Sequence, residues 1–182
     1  MTSDDQGAGQ AAADRAAKRF EKTAYLLGFA GLLPFLACVA LLYFSLASGA
    51  LVRPVGDIFT AYSIAVLSFL GGIRWGHVMP RQDDDGAGHS TGHRAGPVVL
   101  CLSVLPVVLG WGALFLPRSA AIALLLIAFC IQGVWDSFSA HFSAHFSARG
   151  GGLPRWFAPL RILLTAAVAL CHAAVLLMIG FD

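Results

Sequence analysis

The apolar run AYLLGFAGLLPFLACVALLYFSLA, residues 24–47, decides the fold class of this chain. It contains no charged residue and exceeds the roughly 20 residues that an α-helix needs to cross a hydrocarbon core about 30 Å thick. It is also much longer than the apolar core of a signal peptide, which has roughly 7–15 residues. The run therefore predicts an uncleaved membrane-spanning helix, with a kink at Pro34 because proline removes one backbone hydrogen bond.

Composition extends this reading to the whole chain. Of its 182 residues, 58% are hydrophobic and only 12% are charged, whereas a soluble domain has roughly 25% charged residues. We therefore expect an all-α fold, an integral membrane bundle of five transmembrane helices that forms a single domain over residues 23–182. The five predicted helices cover about 24–47, 58–79, 97–116, 119–139 and 159–180.

Residues 1–22 are polar and basic, and they show no apolar periodicity. We interpret them as a disordered tail, with helix formation near Arg15–Lys22 as an open alternative. Basic residues also set the orientation of membrane proteins, because they are retained on the cytoplasmic side. If the five runs alternate in direction, only Arg53 and Arg118 lie on one side, and the other ten of the twelve Lys and Arg residues share the opposite side. The N-terminus is therefore predicted inside and the C-terminus outside.

Ionisable side chains inside the runs are the candidates for function, because charges in lipid are costly and are retained for a reason. Arg74 and His77 lie near the inner end of the second run, Gln132 and Asp136 near that of the fourth, and Arg161 near that of the fifth. All five come to a similar depth. We expect Asp136 to pair with Arg74 or Arg161, with Gln132 and His77 nearby as hydrogen-bond partners. The alternative is that each arginine reaches the headgroups alone and Asp136 lies in water.

Small residues near Arg74 predict close helix packing. Ser68, Gly72 and Gly76 recur every fourth residue, which is the small-xxx-small spacing of tightly packed membrane helices. Arg74 lies about 200° around the helix from Gly72. The second helix can therefore press one face against a neighbour and present Arg74 on another face.

Two histidine pairs raise the question of a metal site. His89 and His93 lie in a Gly-rich loop, and His141 and His145 lie in the repeat FSAHFSAHFSAR, residues 138–149. Four histidines can bind zinc or copper, but the repeat is equally explained by expansion in a tolerant loop. Neither pair has a fixed scaffold, so we expect no metal site and no cofactor.

The chain has no sequence pattern of a known catalytic or haem site. A bis-histidine haem needs two histidines at one depth, but His172 lies eleven residues beyond Arg161, about 16 Å away from the level of His77. No Ser-His-Asp set, Walker loop or HExxH motif is present. We therefore expect a protein that is not an enzyme.

Several stretches carry a family resemblance that spans roughly residues 20–180. The chain resembles the domain-of-unknown-function 3429 family, small multi-pass membrane proteins of the transmembrane protein 69 type. The resemblance implies a bacterial inner-membrane protein of unassigned activity, and it transfers no catalytic residue. The stretches that carry it are SFLGGIRWG (68–76), LGFAGLLPF (27–35), LSVLPVVLGWGALF (102–115), the pair Gln132 and Asp136, and PRWFAPLRILLT (154–165).

Two functions fit these features. The first is a non-enzymatic accessory protein that assists or scaffolds a membrane complex, with the lipid bilayer, other membrane proteins or further copies of the chain as partners. The second is a small oligomeric transporter or channel that uses the inner polar cluster. Nucleic acid is not an expected partner, since the net charge of +2 is small. A dry, fully paired cluster with a flat apolar outer patch favours assembly, and a water-filled cavity that reaches Arg74 and Asp136 favours transport.

Overall fold

The chain is all-α in the part that the structure describes. This computed structural model describes the backbone of residues 3–46, 51–78, 97–146 and 156–180, and the side chains of residues 9–46, 51–72, 101–138 and 156–180. The all-α class predicted from the apolar runs is confirmed. The helices are α1 (Ser3–Ser45), α2 (Val52–Val78), α3 (Pro97–Ala113), α4 (Arg118–Phe146) and α5 (Phe157–Ile179).

The helices are arranged as a ring around a shared core. Each helix packs against its neighbours in the chain, α1 also packs against α5, and α2 touches α4 across the ring. Apolar association in lipid depends on close packing rather than on the expulsion of water. The core is partly aromatic, and among the described side chains Ser63 and His172 are the polar ones with no exposure. Its largest fully buried side chains are Phe35, Leu42, Phe59, Ser63, Leu67, Ile122, Leu125, His172 and Val175.

Helix α1 is much longer than the apolar run that predicted it. It begins at Ser3, so the structure differs from the disordered tail predicted for residues 1–22. The side chains of residues 9–20 are all exposed, so tertiary packing does not explain this helix. The segment is rich in Ala and also contains Arg and Lys, all strong helix formers, and it extends a membrane helix that is already formed, which avoids the cost of nucleation.

The connection between α3 and α4 is tight. Helix α3 ends at Ala113 instead of residue 116, because Leu114, Phe115 and Leu116 each donate to the carbonyl three residues earlier, at 3.1, 3.2 and 3.2 Å. These bonds close a tighter turn than an α-helix. Pro117 follows, and its carbonyl accepts the first bond of α4 at 2.8 Å. Elsewhere, α2 begins at residue 52 rather than 58, and α4 continues to residue 146 rather than 139.

Four helices are long and apolar enough to cross a membrane, within the residues whose side chains are described. These segments are Gly9–Ser45, Val52–Gly72, Arg118–Phe138 and Phe157–Ile179. The corresponding part of α3, Cys101–Ala113, is apolar but shorter. All 17 residues of α3 extend about 25 Å, a little less than a hydrocarbon core of about 30 Å. A multi-pass membrane bundle is indicated, and a crossing by α3 stays a prediction.

The buried face of α2 lies beside the predicted stripe of Ser68, Gly72 and Gly76. Gly72 is exposed, and a Cβ added there would have no atom of the described residues within 4 Å. Ser68 is half-buried, and the surroundings of Gly76 lie outside the described side chains. The positions of α2 that are buried come one residue earlier, about 100° around the helix: Phe59, Ser63, Leu67 and Gly71.

Gly71, rather than Gly72, is the small residue at the contact between α2 and α3. A Cβ on Gly71 would lie 2.7 Å from the backbone oxygen of Ser103 and 3.5 Å from the ring of Pro106. Farther along the same interface, a Cβ on Gly110 of α3 would lie 3.0 Å from Ile64. One glycine from each helix therefore permits the close approach, at a position one residue before the predicted stripe, whose own packing stays a prediction.

Candidate functional site

An ion pair joins α4 to α5 within the bundle. The guanidinium Nη2 of Arg161 donates to Oδ2 of Asp136, and the amide Nε2 of Gln132 donates to Oδ1 of the same carboxylate at 3.3 Å. The side chains of Arg161 and Asp136 are only 13% and 11% exposed. Both oxygens of the carboxylate therefore accept hydrogen bonds, and its charge is balanced by a cation on the neighbouring helix. We call Gln132, Asp136 and Arg161 the inner cluster.

Helix geometry explains how the inner cluster forms. Gln132 and Asp136 are four residues apart, so they lie on the same face of α4. Arg161 is the fifth residue of α5, and its guanidinium carbon is 6.0 Å from the ring centroid of Phe157, within the range of a cation–π contact. Its Nε is buried and makes no hydrogen bond within the described part of the chain. The arginine is therefore fixed by one carboxylate and one aromatic ring.

Gly133 brings the two helices close enough for this pair. A Cβ on Gly133 would lie 2.5 Å from Oγ1 of Thr165 and 2.9 Å from its Cβ, distances at which one side chain must move. Gly133 lies beside Gln132 on α4, and Thr165 lies one turn beyond Arg161 on α5. Gly133 is not among the residues predicted from the sequence, although a glycine next to a polar residue within an apolar run is a usable signal of close packing.

The structure brings three of the five predicted cluster residues together. Of the two pairings that we considered for Asp136, the one with Arg161 is present among the described side chains. Arg74 and His77 lie in α2, but their side chains are outside the described ones, so their part in the cluster stays a prediction. Arg161 is mostly buried and paired, which argues against its reaching the headgroups alone.

A second ion pair lies at the opposite end of the bundle. Nη2 of Arg118, the first residue of α4, donates to Oδ1 of Asp57 in α2 at 2.9 Å. Gly56 makes room for the arginine, because a Cβ there would lie 3.0 Å from its Cδ and Nε. Asp57 is 71% exposed and Arg118 is 26% exposed. This pair is not among the contacts predicted from the sequence, although both residues flank apolar runs on the same predicted side.

The middle of the bundle holds a buried histidine and serine. Nδ1 of His172 lies 2.9 Å from the carbonyl oxygen of Val168, one turn earlier in α5, and therefore donates to it. Nε2 of His172 lies 3.2 Å from Oγ of Ser63, which is also 2.7 Å from the carbonyl oxygen of Phe59. Both side chains have no solvent exposure. The pair connects α2 to α5 with both ring nitrogens in contact with a polar partner, as a buried histidine requires.

Phenylalanine rings surround His172. The centroids of Phe59, Phe129 and Phe35 lie 4.7, 5.3 and 5.7 Å from the imidazole centroid, and the three residues come from α2, α4 and α1. Four helices thus meet at one ring. Such an enclosed imidazole has a structural role that the sequence did not indicate, because no aromatic or hydroxyl partner can be assigned from spacing alone.

The described side chains contain no group of three or more His, Cys, Asp or Glu residues that could hold a metal ion. His141 and His145 lie in the helical backbone of α4, but their side chains are outside the described ones. His89 and His93 lie outside the described residues altogether. The expectation of no metal site is therefore untested for all four.

A small groove lies between α3 and α4 beside the inner cluster. Its volume is about 70 Å³ and Gln132 forms part of its wall, but nearly all of its other lining residues are apolar. A groove of this size and character does not give a solute an aqueous route to Asp136. The lining residues are Leu102, Leu105, Pro106, Leu109, Ala128, Ile131, Gln132 and Trp135.

Comparison with known proteins identifies the family. Residues 20–177 match the family model described as "Protein of unknown function (DUF3429)". The chain belongs to this family. It is also 31% identical over 153 residues to Transmembrane protein 69 of Xenopus tropicalis. That match covers 83% of this chain and 52% of the relative, so the chain spans about half the length of the curated relative that it matches. No solved structure matches the chain. The resemblance stated from the sequence is confirmed, and the family carries no assigned activity.

Proposed function

We propose that this DUF3429 protein is a multi-pass protein of the bacterial inner membrane that assists or scaffolds a larger membrane complex and catalyses no reaction. All five helices cross the membrane, with the N-terminus in the cytoplasm and the C-terminus in the periplasm. The observation that supports the proposal most is the pairing of Asp136 with Arg161. These charges are satisfied inside the bundle, so they stabilise the fold rather than face a solute.

The outward surface supports the same proposal. On α4, Ile127, Ile131 and Val134 recur at spacings of four and three residues and are 56%, 57% and 71% exposed. Such a ridge faces lipid or a helix of another membrane protein, because none of the described residues covers it. A partner helix that packs on this ridge would lie beside the groove at Gln132.

Topology reporters test the number of crossings. A periplasmic enzyme or a cytoplasmic fluorescent protein is fused after residue 182, and in separate fusions within residues 82–96 and 147–155. Five crossings place the C-terminus on the side opposite to the N-terminus. Five crossings also place the fusions within 82–96 and 147–155 on the same side. If α3 does not cross, the two termini share a side, and these two internal fusions report opposite sides.

Affinity purification tests the scaffold role. The full chain carries a C-terminal tag, is expressed at low level and is extracted in a mild detergent, with untagged membranes as the background. We expect one or more integral membrane proteins at constant stoichiometry. Recovery of a lone 19.1-kDa monomer would contradict the proposal.

A charge-neutral double variant separates scaffolding from transport. D136N/R161Q removes both charges of the inner pair, and D57N/R118Q removes the same number at the other end. A scaffold retains its partners in both variants, since the pair is internal. The purified protein is also reconstituted into liposomes, and solute flux is measured. Flux that is lost in D136N/R161Q and kept in D57N/R118Q would instead establish the oligomeric transporter or channel.

A further inference from the structure

The N-terminal end of α1 carries four basic residues on one face of the helix. Lys18, Arg19 and Lys22 follow Arg15 at three, four and seven residues, so all four lie within an arc of about 100°. All four are exposed. The acidic residues Asp14 and Glu21 of the same segment lie outside that arc. We call Arg15, Lys18, Arg19 and Lys22 the basic stripe.

The same face of α1 becomes apolar immediately after the basic stripe. Leu26, Phe29, Leu33 and Leu36 continue from Lys22 at spacings of three or four residues, and they are 72%, 45%, 63% and 53% exposed. Large apolar side chains that face outward from a membrane span contact the acyl chains of lipids. One continuous face of the helix therefore changes from acyl-chain contact to positive charge between Leu26 and Lys22.

The axial position of the stripe matches the headgroup layer. At about 1.5 Å per residue, Lys22 lies about 6 Å above Leu26, and Arg15 lies about 10 Å farther out. The polar layer on each side of a bilayer is about 5–7 Å deep, so Lys22 lies at the level of the lipid phosphates, and the other three cations lie above it within about one Debye length. Arg15 Nε donates to the carbonyl oxygen of Ala11 at 3.0 Å, which holds that guanidinium along the helix.

Contacts with α5 fix the direction in which the stripe points. The rings of Phe20 and Tyr25 lie 6.1 and 6.2 Å from that of Trp156, just before α5 begins, and a Cβ on Gly28 would meet Leu164 of α5 at 2.9 Å. These residues lie on the bundle-facing side of α1. The basic stripe lies on the other side, above the lipids that surround α1. Among the described residues, no ion pair engages it.

We propose that the basic stripe binds the anionic headgroups of the phospholipids that surround α1. Charge complementarity and continuity with the acyl-chain face identify these lipids as the occupant. The inference requires only that α1 crosses the membrane, and it is independent of the scaffold role. Each basic residue near an anionic surface strengthens binding about fivefold, and salt screens the interaction.

Lipid titration of the full chain tests the proposal. The purified, delipidated protein is titrated with phosphatidylglycerol and with phosphatidylcholine of the same acyl chains, and bound lipids are counted by native mass spectrometry. We expect the wild type to prefer phosphatidylglycerol. In R15Q/K18Q/R19Q/K22Q the preference should fall at least tenfold, because glutamine keeps the helix propensity and removes the charge.

Two matched variants control for structure. A12Q/A13Q/A16Q/A17Q places four glutamines in the same segment and retains all four charges, so its lipid preference should equal that of the wild type. R15K/K18R/R19K/K22R exchanges the cations and should also retain the preference. An unchanged preference in the charge-neutral variant overturns the proposal and would direct attention to an acidic protein as the occupant. Equal losses in the neutral variant and in the alanine-to-glutamine control overturn it as well.

Discussion

Asp136→Asn leaves the guanidinium of Arg161 charged, 13% exposed and without its carboxylate. Removal of one partner from a buried ion pair destabilises a protein by about 3–5 kcal/mol, since an uncompensated charge remains. The slight exposure of both side chains places the expected loss near the lower limit, about 3 kcal/mol. Arg161→Gln should have a smaller effect, because the carboxylate of Asp136 keeps the amide of Gln132 as a donor.

The double variant D136N/R161Q removes both charges of the inner pair, and the two new amides can hydrogen-bond to each other. We expect it to lose only about 1 kcal/mol, the usual magnitude of a hydrogen bond between membrane helices. The two substitutions should therefore be strongly non-additive, with a coupling free energy of at least about 2 kcal/mol. The assay is reversible unfolding in mixed micelles with increasing SDS, followed by far-UV circular dichroism and tryptophan fluorescence.

The pair at the other end of the bundle provides the control. Asp57 is 71% exposed, and solvent-exposed ion pairs contribute about 0–1 kcal/mol. The D57N/R118Q cycle should therefore show little coupling in the same assay. The reasoning would be refuted if the stability losses of Asp136→Asn and Arg161→Gln add up to that of the double variant within about 0.5 kcal/mol. Such additivity means that the two charges do not stabilise each other.

Three further predictions use the same unfolding assay. Gly71→Ala should destabilise the protein by about 1–3 kcal/mol through a clash with a backbone oxygen, whereas Gly72→Ala should be neutral or slightly stabilising; equal effects would contradict the assigned face of α2. Gly133→Ala should lower stability by a similar amount and weaken the adjacent ion pair, so that Asp136→Asn costs less in that background. Ser63→Ala should cost about 1–3 kcal/mol, because Nε2 of His172 loses its polar partner. Adding His172→Phe should recover part of that loss. A further loss in the double variant would show that the imidazole stabilises the bundle without Ser63.

The helices could be predicted from the sequence because apolar runs of about 20 residues have few alternative structures in a membrane. The depth of each side chain also follows from counting residues along a helix. For this reason Asp136 and Arg161 could be placed at one level before their contact was known. The N-terminal helix could be predicted only as an alternative near Arg15–Lys22, because apolar periodicity is what indicates a packed helix, and an exposed Ala-rich helix lacks that periodicity.

Rotation about a helix axis is harder to predict than depth. The stripe through Gly72 and the buried face through Gly71 differ by one residue, and small residues occur on both. The contact that distinguishes the two faces is made by the carbonyl oxygen of Ser103 in α3, which lies against Gly71. The bond between Ser63 and His172 also depends on the rotation of two helices. The depth of His172 relative to His77, which argues against a haem site, therefore does not reveal the contact of His172 with Ser63.

The unbroken helix from Ser3 to Ser45 has a mechanical consequence. Residues 3–22 form a rod about 30 Å long that is collinear with the start of the membrane span. Membrane helices tilt when the thickness of the bilayer changes. A tilt of about 10° would carry the tip of the rod sideways by about 5 Å, while the end at Lys22 hardly moves. The segment is thus a lever that turns a change of bilayer thickness into lateral displacement at its tip.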